Sequence, residues 1–252
     1  MKYLYRIYQV LIAIPLVLVW TIFISLLVLI GCLLGGGRFF GYYPPKIWGW
    51  VILKLFLLPV KTEGKAHLEK NQSYVFVANH QGAFDIFLVY AYLGCNFRWM
   101  MKYQLMKIPF VGIACKASKQ IMIDKRGPKR IRESYEKAKQ IMKGGISIVV
   151  FPEGSRTFTG HMGKFRRGAF LLADELQLPI VPLTINGSFY VMPRTRDWHF
   201  LNWHPLSLTI HQPIYPIGQG DDNVTAAMND SYQSVMSSLE PDFQGYVENP
   251  DQ

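Results

Sequence analysis

Residues Val10 to Leu34, "VLIAIPLVLVWTIFISLLVLIGCLL", include no charged side chain. As a helix this run covers about 37 Å at 1.5 Å per residue, enough for a hydrocarbon core of about 30 Å, so the pattern predicts a membrane segment. A cleaved signal peptide would start with basic residues such as Lys2 and Arg6, but its apolar region is only about 7 to 15 residues long and ends at a small-residue cleavage site that is missing here. "LIGC" at Leu29 to Cys32 looks like a lipoprotein processing box, yet the apolar run is over-long and continues past it. A second apolar stretch, Ile47 to Val60, is short and carries Lys54, which suits a re-entrant or interfacial helix. The turn-rich "GGGRFFGYYPPK" joins the two, with aromatics fit for the headgroup zone. Lys2 and Arg6 before this unit and Lys61 and Lys65 after it would share the cytoplasmic side if residues 1–60 form a helical hairpin; a single crossing with an external N-terminus is the alternative.

From Lys61 onward the period changes. Short apolar runs alternate with longer amphipathic stretches, which predicts an α/β fold: one domain over residues 61–252 with a mixed sheet flanked by helices. The predicted strands are Tyr74 to Ala78, Gln120 to Ile123, Ile146 to Phe151, Ile180 to Ile185 and Leu206 to His211. The predicted helices are Phe84 to Leu93, Tyr103 to Ala117, Pro128 to Lys143, Arg167 to Leu176 and Val224 to Leu239. Pro128 and the Gly144-Gly145 pair punctuate the third helix as caps prefer.

Charge narrows the choice of partner. Lys and Arg number 27 against 17 Asp and Glu in 252 residues, a formal +10, which points to an anionic partner: lipid headgroups, phosphorylated metabolites or nucleic acid. The apolar N-terminus decides for the membrane, and no nucleic-acid partner is expected. Cys32, Cys95 and Cys115 form neither a disulfide framework nor a zinc spacing, which fits a reducing compartment and predicts no metal site.

The chemistry concentrates at strand ends. His80 in "NHQGAFD" follows the first strand of the α/β region, where ligands bind in such sheets, and Asp85 opens the next helix. In one continuous helix a spacing of five would set the two side chains about 140° apart, so their pairing needs the Gln81-Gly82-Ala83 turn. Asp85 would then fix one ring nitrogen of His80 and leave the other as a base; the plainer reading is an Asp that only caps the helix. "FPEGSR" repeats this arrangement at another strand end, where Glu153 and Arg156 either project into the same crevice or form a solvated turn. "MIDKRGPKR" crowds Lys125, Arg126, Lys129 and Arg130 after a third strand, a binding loop or a solvated basic face. "KFRRGAFLLADELQLPIVPLTING" runs from basic residues into a buried strand flanked by Pro179 and Pro182.

In this order the four stretches resemble the glycerophospholipid acyltransferase family, most closely its bacterial 1-acyl-sn-glycerol-3-phosphate acyltransferases, over roughly residues 60 to 215. The resemblance implies that His80 and Asp85 are catalytic, that Glu153, Gly154, Ser155 and Arg156 bind the acceptor phosphate together with a basic residue after the "MID" strand, and that the Val181-Pro182 segment shapes the site. The family more often has arginine where Lys125 stands, and Arg126 follows it, so the loop offers two candidates.

The implied reaction moves a fatty acyl group from a thioester, acyl-acyl carrier protein or acyl-coenzyme A, to lysophosphatidic acid, with no cofactor. It would take place at a bacterial inner membrane with the catalytic domain in the cytoplasm. His80 would act as general base, and backbone N–H groups around Gly82 or Gly154 would receive the oxyanion. A lyso-aminolipid is the alternative acceptor. Two rivals differ in class: a hydrolase using Ser155, which lacks the G-x-S-x-G elbow, and a non-catalytic basic membrane protein, which leaves the His80 and Arg156 motifs without purpose.

Overall fold

The computed structural model describes residues 2–124, 126–195 and 199–245. Helix α1 (Lys2–Tyr8), a π-helical turn (Gln9–Ala13) and α2 (Ile14–Leu33) run on as one 32-residue helix, the only one among the described residues long and apolar enough to cross a membrane. The short α3 (Gly37–Phe40) turns the chain into α4 (Tyr43–Leu55), which packs back against α2, where the Trp48 indole N–H donates to Thr21 Oγ1 at 2.9 Å. The expected helical hairpin is therefore present.

The hairpin is not a detachable appendage. Ile52, Leu53, Phe56 and Leu58 share one buried cluster with Phe76, Leu88, Phe97 and Val149 of the α/β region. The turn is also pinned by arginines: Arg38 donates to the carbonyl of Gly144 at 2.9 Å, and Arg98, 2% exposed, donates to those of Gly37 and Phe97, both at 2.8 Å.

The remaining elements are β1 (Val60–Glu63), β2 (Val75–Ala78), α5 (Asp85–Tyr92), β3 (Phe97–Lys102), α6 (Val111–Ala117), β4 (Ile121–Ile123), α7 (Pro128–Lys143), β5 (Ser147–Val150), α8 (Gly168–Leu176), β6 (Ile180–Asn186), α9 (Ser188–Val191), β7 (Leu206–Ile210) and α10 (Asp221–Ser237). The seven strands form one mixed sheet in the order β1-β7-β6-β2-β5-β3-β4, in which only the β6–β7 pair is antiparallel. Central β2 aligns Val75 with Ile148 of β5 and Ile180 of β6. It is buried along its whole length, as a strand covered on both faces by helices must be.

Two strands escaped the sequence reading. Val60–Glu63 follows directly on an apolar helix and alternates half-buried with exposed positions over only four residues. Phe97–Lys102 is interrupted by Arg98, whose charge hides a buried strand because its partners are main-chain carbonyls. The expected helix from Tyr103 to Ala117 is broken: a 3₁₀ segment (Tyr103–Lys107) ends before Pro109, and α6 starts only at Val111. Proline in a helix interior removes a donor and clashes with the preceding turn, which accounts for the break.

Candidate active site

His80 lies two residues beyond the end of β2, and Asp85 is the first residue of α5. Their side chains meet, with Nδ1 of His80 2.7 Å from Oδ2 of Asp85. Asp85 is fully buried, and Oδ2 also accepts the N–H groups of Gln81 at 2.9 Å and Gly82 at 3.0 Å, while Oδ1 accepts the Ser188 hydroxyl. The turn is thus folded around the carboxylate, which holds its charge where Nδ1–H can donate to it. That leaves Nε2 of His80 as the nitrogen with a lone pair to offer. The imidazole lies flat on Phe151, centroids 3.8 Å apart and planes within 5°. Its plane is therefore fixed by packing as well as by the carboxylate.

Gly82 is needed for space more than for backbone freedom. A Cβ there would come 2.4 Å from the carbonyl oxygen of Ser188, so only glycine lets the β2–α5 turn close onto the end of β6. Ser188, first residue of α9, belongs to the site, and no motif in the sequence singles it out.

The second motif divides into two roles. Glu153, 9% exposed, spends both oxygens on main-chain donors, accepting His80 N–H at 2.8 Å and Gly163 N–H at 2.8 Å. In this position it braces the histidine's backbone; the phosphate contact that the resemblance implies would compete with these two bonds and with the repulsion between two anions. Gly154 turns at φ +82°, and the guanidinium of Arg166 lies over it, 3.1 Å from where a Cβ would stand. Of the N–H groups in these two turns, that of Gly82 goes to Asp85 and that of Gly154 to the Phe151 carbonyl at 3.0 Å, so an oxyanion would draw on others.

His80, Gly154, Ser155 and Arg156 open onto one cavity of about 710 Å³, within the roughly 300–1,000 Å³ of small-molecule sites. Its walls are largely apolar, with Ile24 and Val28 from α2, Trp48 from α4, and Leu105, Val111 and Ala114 from the segment around α6. Lys102, Arg156, Arg166 and Arg194 give the same cavity four cationic side chains. Burial, and then the charge of Arg194, pull the Arg156 pKa below its ordinary value, with Asp85 pulling the other way.

Of the two candidates in the third basic loop, Lys125 lies outside the described residues and only Arg126 is among them. Arg126 does not line the cavity; it grips Asp124 through Nε at 2.8 Å and a terminal nitrogen at 2.7 Å and lies over the Tyr103 ring. Arg130 joins the same carboxylate at 2.9 Å, and the two arginines, Arg126 first, hold the Asp124 carboxyl well below the usual range. Beside Arg156, the cations that reach the cavity, Lys102 at the end of the missed strand β3, Arg166 and Arg194, were not singled out from sequence, although Arg166 stands in the "KFRRGAF" stretch. Among the described residues no group of three or more His, Cys, Asp or Glu side chains could hold a metal ion.

A family model for acyltransferases matches residues 59–186, just over half of the chain, including the motifs after β2, β4 and β5. The chain belongs to the acyltransferase family. Among curated relatives, the chloroplastic 1-acyl-sn-glycerol-3-phosphate acyltransferase BAT2 of Brassica napus is 29% identical over 179 residues, 71% of this chain and 51% of the relative. The alpha 1-acyl-sn-glycerol-3-phosphate acyltransferase of Homo sapiens is 31% identical over 180 residues, 70% of this chain and 64% of the relative. The chain thus spans about half the length of the plant relatives it matches. The crystal structure of the 1-acyl-sn-glycerophosphate acyltransferase PlsC from Thermotoga maritima superposes with a TM-score of 0.74 at 23% identity, covering 92% of each chain, a likeness of fold. Within this family fold, the His80–Asp85 pair sits where the parallel strands β2 and β5 both end.

Proposed function

We propose that the protein transfers a fatty acyl group from a thioester, carried by acyl carrier protein or coenzyme A, to the sn-2 hydroxyl of 1-acyl-sn-glycerol-3-phosphate, forming phosphatidic acid. The observation that carries this reading is that an aspartate-fixed histidine, an apolar cavity and four cationic side chains share one space. Nε2 of His80 takes the hydroxyl proton as the oxygen attacks the thioester carbonyl, and Asp85 stabilises the imidazolium that results. When the tetrahedral intermediate collapses, the imidazolium returns the proton to the leaving thiolate. No covalent enzyme intermediate is needed.

The cations select the acceptor. A phosphomonoester carries between one and two negative charges at neutral pH and suits a cavity with Lys102, Arg156, Arg166 and Arg194 in its lining, whereas a zwitterionic headgroup brings its own cation among them. The apolar wall formed with α2 and α4 suits a fatty chain, and the hairpin would hold the site at the bilayer with the catalytic domain on the cytoplasmic side. Competition among lysophosphatidic acid, lysophosphatidylcholine and a lyso-aminolipid with one acyl donor tests the substrate. Preference for a phosphate-free acceptor would refute the assignment, and release of free fatty acid lost in Ser155→Ala would establish the hydrolase instead.

A further inference from the structure

The stretch between Asp85 and Asp124 holds five basic residues and no acidic one. Its middle, residues 103–117, also shows water three large apolar side chains: Ile108 at 44%, Phe110 at 44% and Ile113 at 55% exposure. Lys107, Lys116 and Lys119 are exposed around them. Phe110 is held at φ +61° and ψ −53°, and the Val111 N–H reaches back to the Pro109 carbonyl at 2.6 Å. This is a γ-turn of the positive-φ form, rare and strained, at a bulky residue with no glycine's freedom. Strain of this kind persists only where surrounding structure enforces it, and here it is enforced from below. Gly112 lies so close to Met106 that a Cβ would meet the Met106 carbonyl oxygen at 2.1 Å, and its N–H bonds to Ile108 O at 2.8 Å. The result is an aromatic ring displayed outward on a rigid turn.

The neighbour of this turn is the apolar hairpin. Ala114 is buried with Ile24 and Val28 of α2, so α6 packs through this residue on the long apolar helix, which itself leaves Val19, Leu26 and Ile30 exposed. A water-soluble partner would be an odd match for an apolar patch continuous with a membrane-length helix, whereas a bilayer meets both together.

We propose that the segment 103–119 is a further bilayer contact, with Ile108, Phe110 and Ile113 seated among the acyl chains and Lys107, Lys116 and Lys119 against anionic headgroups. Apolar side chains backed by a basic fringe are the composition of interfacial anchors. This contact rests on the reading of α2 as a membrane helix. It adds that the cavity wall between α2 and α6 faces lipid, so a chain can enter sideways from the bilayer.

The test uses the wild-type full chain in vesicles of phosphatidylcholine and phosphatidylglycerol doped with a phosphatidylcholine whose acyl chain carries a photoactivatable carbene precursor. After irradiation and trypsin, mass spectrometry locates adducts on the peptide Ile108–Lys116, on α2 and on α7. The expected result is adducts on Phe110 and Ile113, neither of which lines the cavity, together with α2 and without α7, falling when phosphatidylglycerol is replaced by phosphatidylcholine. Adducts on α2 with Phe110 and Ile113 no more labelled than α7 would overturn the proposal and leave the membrane reading standing; absence from α2 as well would overturn both. Adducts confined to Val111 and Cys115 would mean lipid inside the cavity only and would also overturn it. So would protection of Phe110 and Ile113 from a water-soluble footprinting reagent by an acidic acyl carrier protein and not by vesicles. A Phe110→Asp, Ile113→Asp chain in the same vesicles should lose the adducts on this peptide while keeping those on α2, and unchanged labelling there would contradict the contact.

Discussion

His80 is held by a carboxylate at one ring nitrogen, an aromatic face under the ring and a brace on its own backbone N–H, so three different substitutions should disable it in three ways. His80→Ala removes the base, and acyl transfer should fall by about 10² to 10⁴ with the fold intact, measured as initial rate beside a circular dichroism spectrum. Asp85→Asn keeps the shape but presents an amide to Nδ1 and to two backbone donors, so it should lose comparable activity and some stability. Glu153→Gln separates the brace from a phosphate ligand. The amide cannot accept from both His80 and Gly163, so a loss of about 1–3 kcal/mol in stability should accompany a lower kcat, with KM for lysophosphatidic acid little changed. A selective rise in that KM at full stability would return Glu153 to the phosphate. Arg156→Ala should cost on the order of 10- to 150-fold in kcat/KM for the phosphate acceptor, with Arg156→Lys a poor rescue. The pairing of His80 with Asp85 was legible because the spacing and the intervening glycine have a geometric reading. The backbone contacts of Glu153 were not legible, because a motif records which residues occur together and not whether a carboxylate faces substrate or backbone. Ser188 could not be read at all, since it reaches Asp85 from 103 positions away.

At the scale of elements, strands that are buried and largely apolar, such as β2, β5 and β6, and helices bounded by Pro128 or by glycines were legible to within a few residues. What failed were elements whose determinants are tertiary. Strand β3 tolerates buried Arg98 because the guanidinium finds carbonyls in the hairpin turn, a partner invisible from the local pattern. Arg98→Met should therefore leave the Gly37 carbonyl and the Asn96 side chain without their donor and lower stability by about 1–3 kcal/mol, read as a drop in thermal midpoint. The β6–β7 pair carries a pH dependence. His211, whose ring nitrogen lies 2.8 Å from Thr184 Oγ1, has its pKa lowered first by burial and then by His67. A histidine with a lowered folded pKa gains its proton more readily when unfolded, so the stability it contributes is present above its ordinary value of about 6.5 and is lost as pH falls from there through the folded value. His211→Gln should flatten that part of the profile in thermal melts between neutral and mildly acid pH.

The molecule as a whole places a sheet's ligand-binding edge against an apolar hairpin. Because Ile52, Leu53 and Phe56 belong to the main core, removing residues 1–60 should do more than release the protein from lipid: the remainder should unfold at lower temperature or aggregate. Full-length activity should instead be compared with variants that keep the hairpin. The order of strands, with β2 central between β5 and β6, could not be read from the chain, but its consequence could, since motifs at several strand ends converge when the strands are parallel neighbours. The central claim is that this convergence makes an acyltransferase for a phosphate-bearing lysolipid, and mass-spectrometric product analysis tests it most directly. Purified full-length protein in lipid is given mixed acyl-thioester donors and a panel of lysolipids. The account predicts phosphatidic acid as the dominant product, dependent on His80 and weakened by Arg156→Ala. Faster acylation of a phosphate-free lysolipid, with Arg156→Ala reducing all acceptors equally, would contradict it.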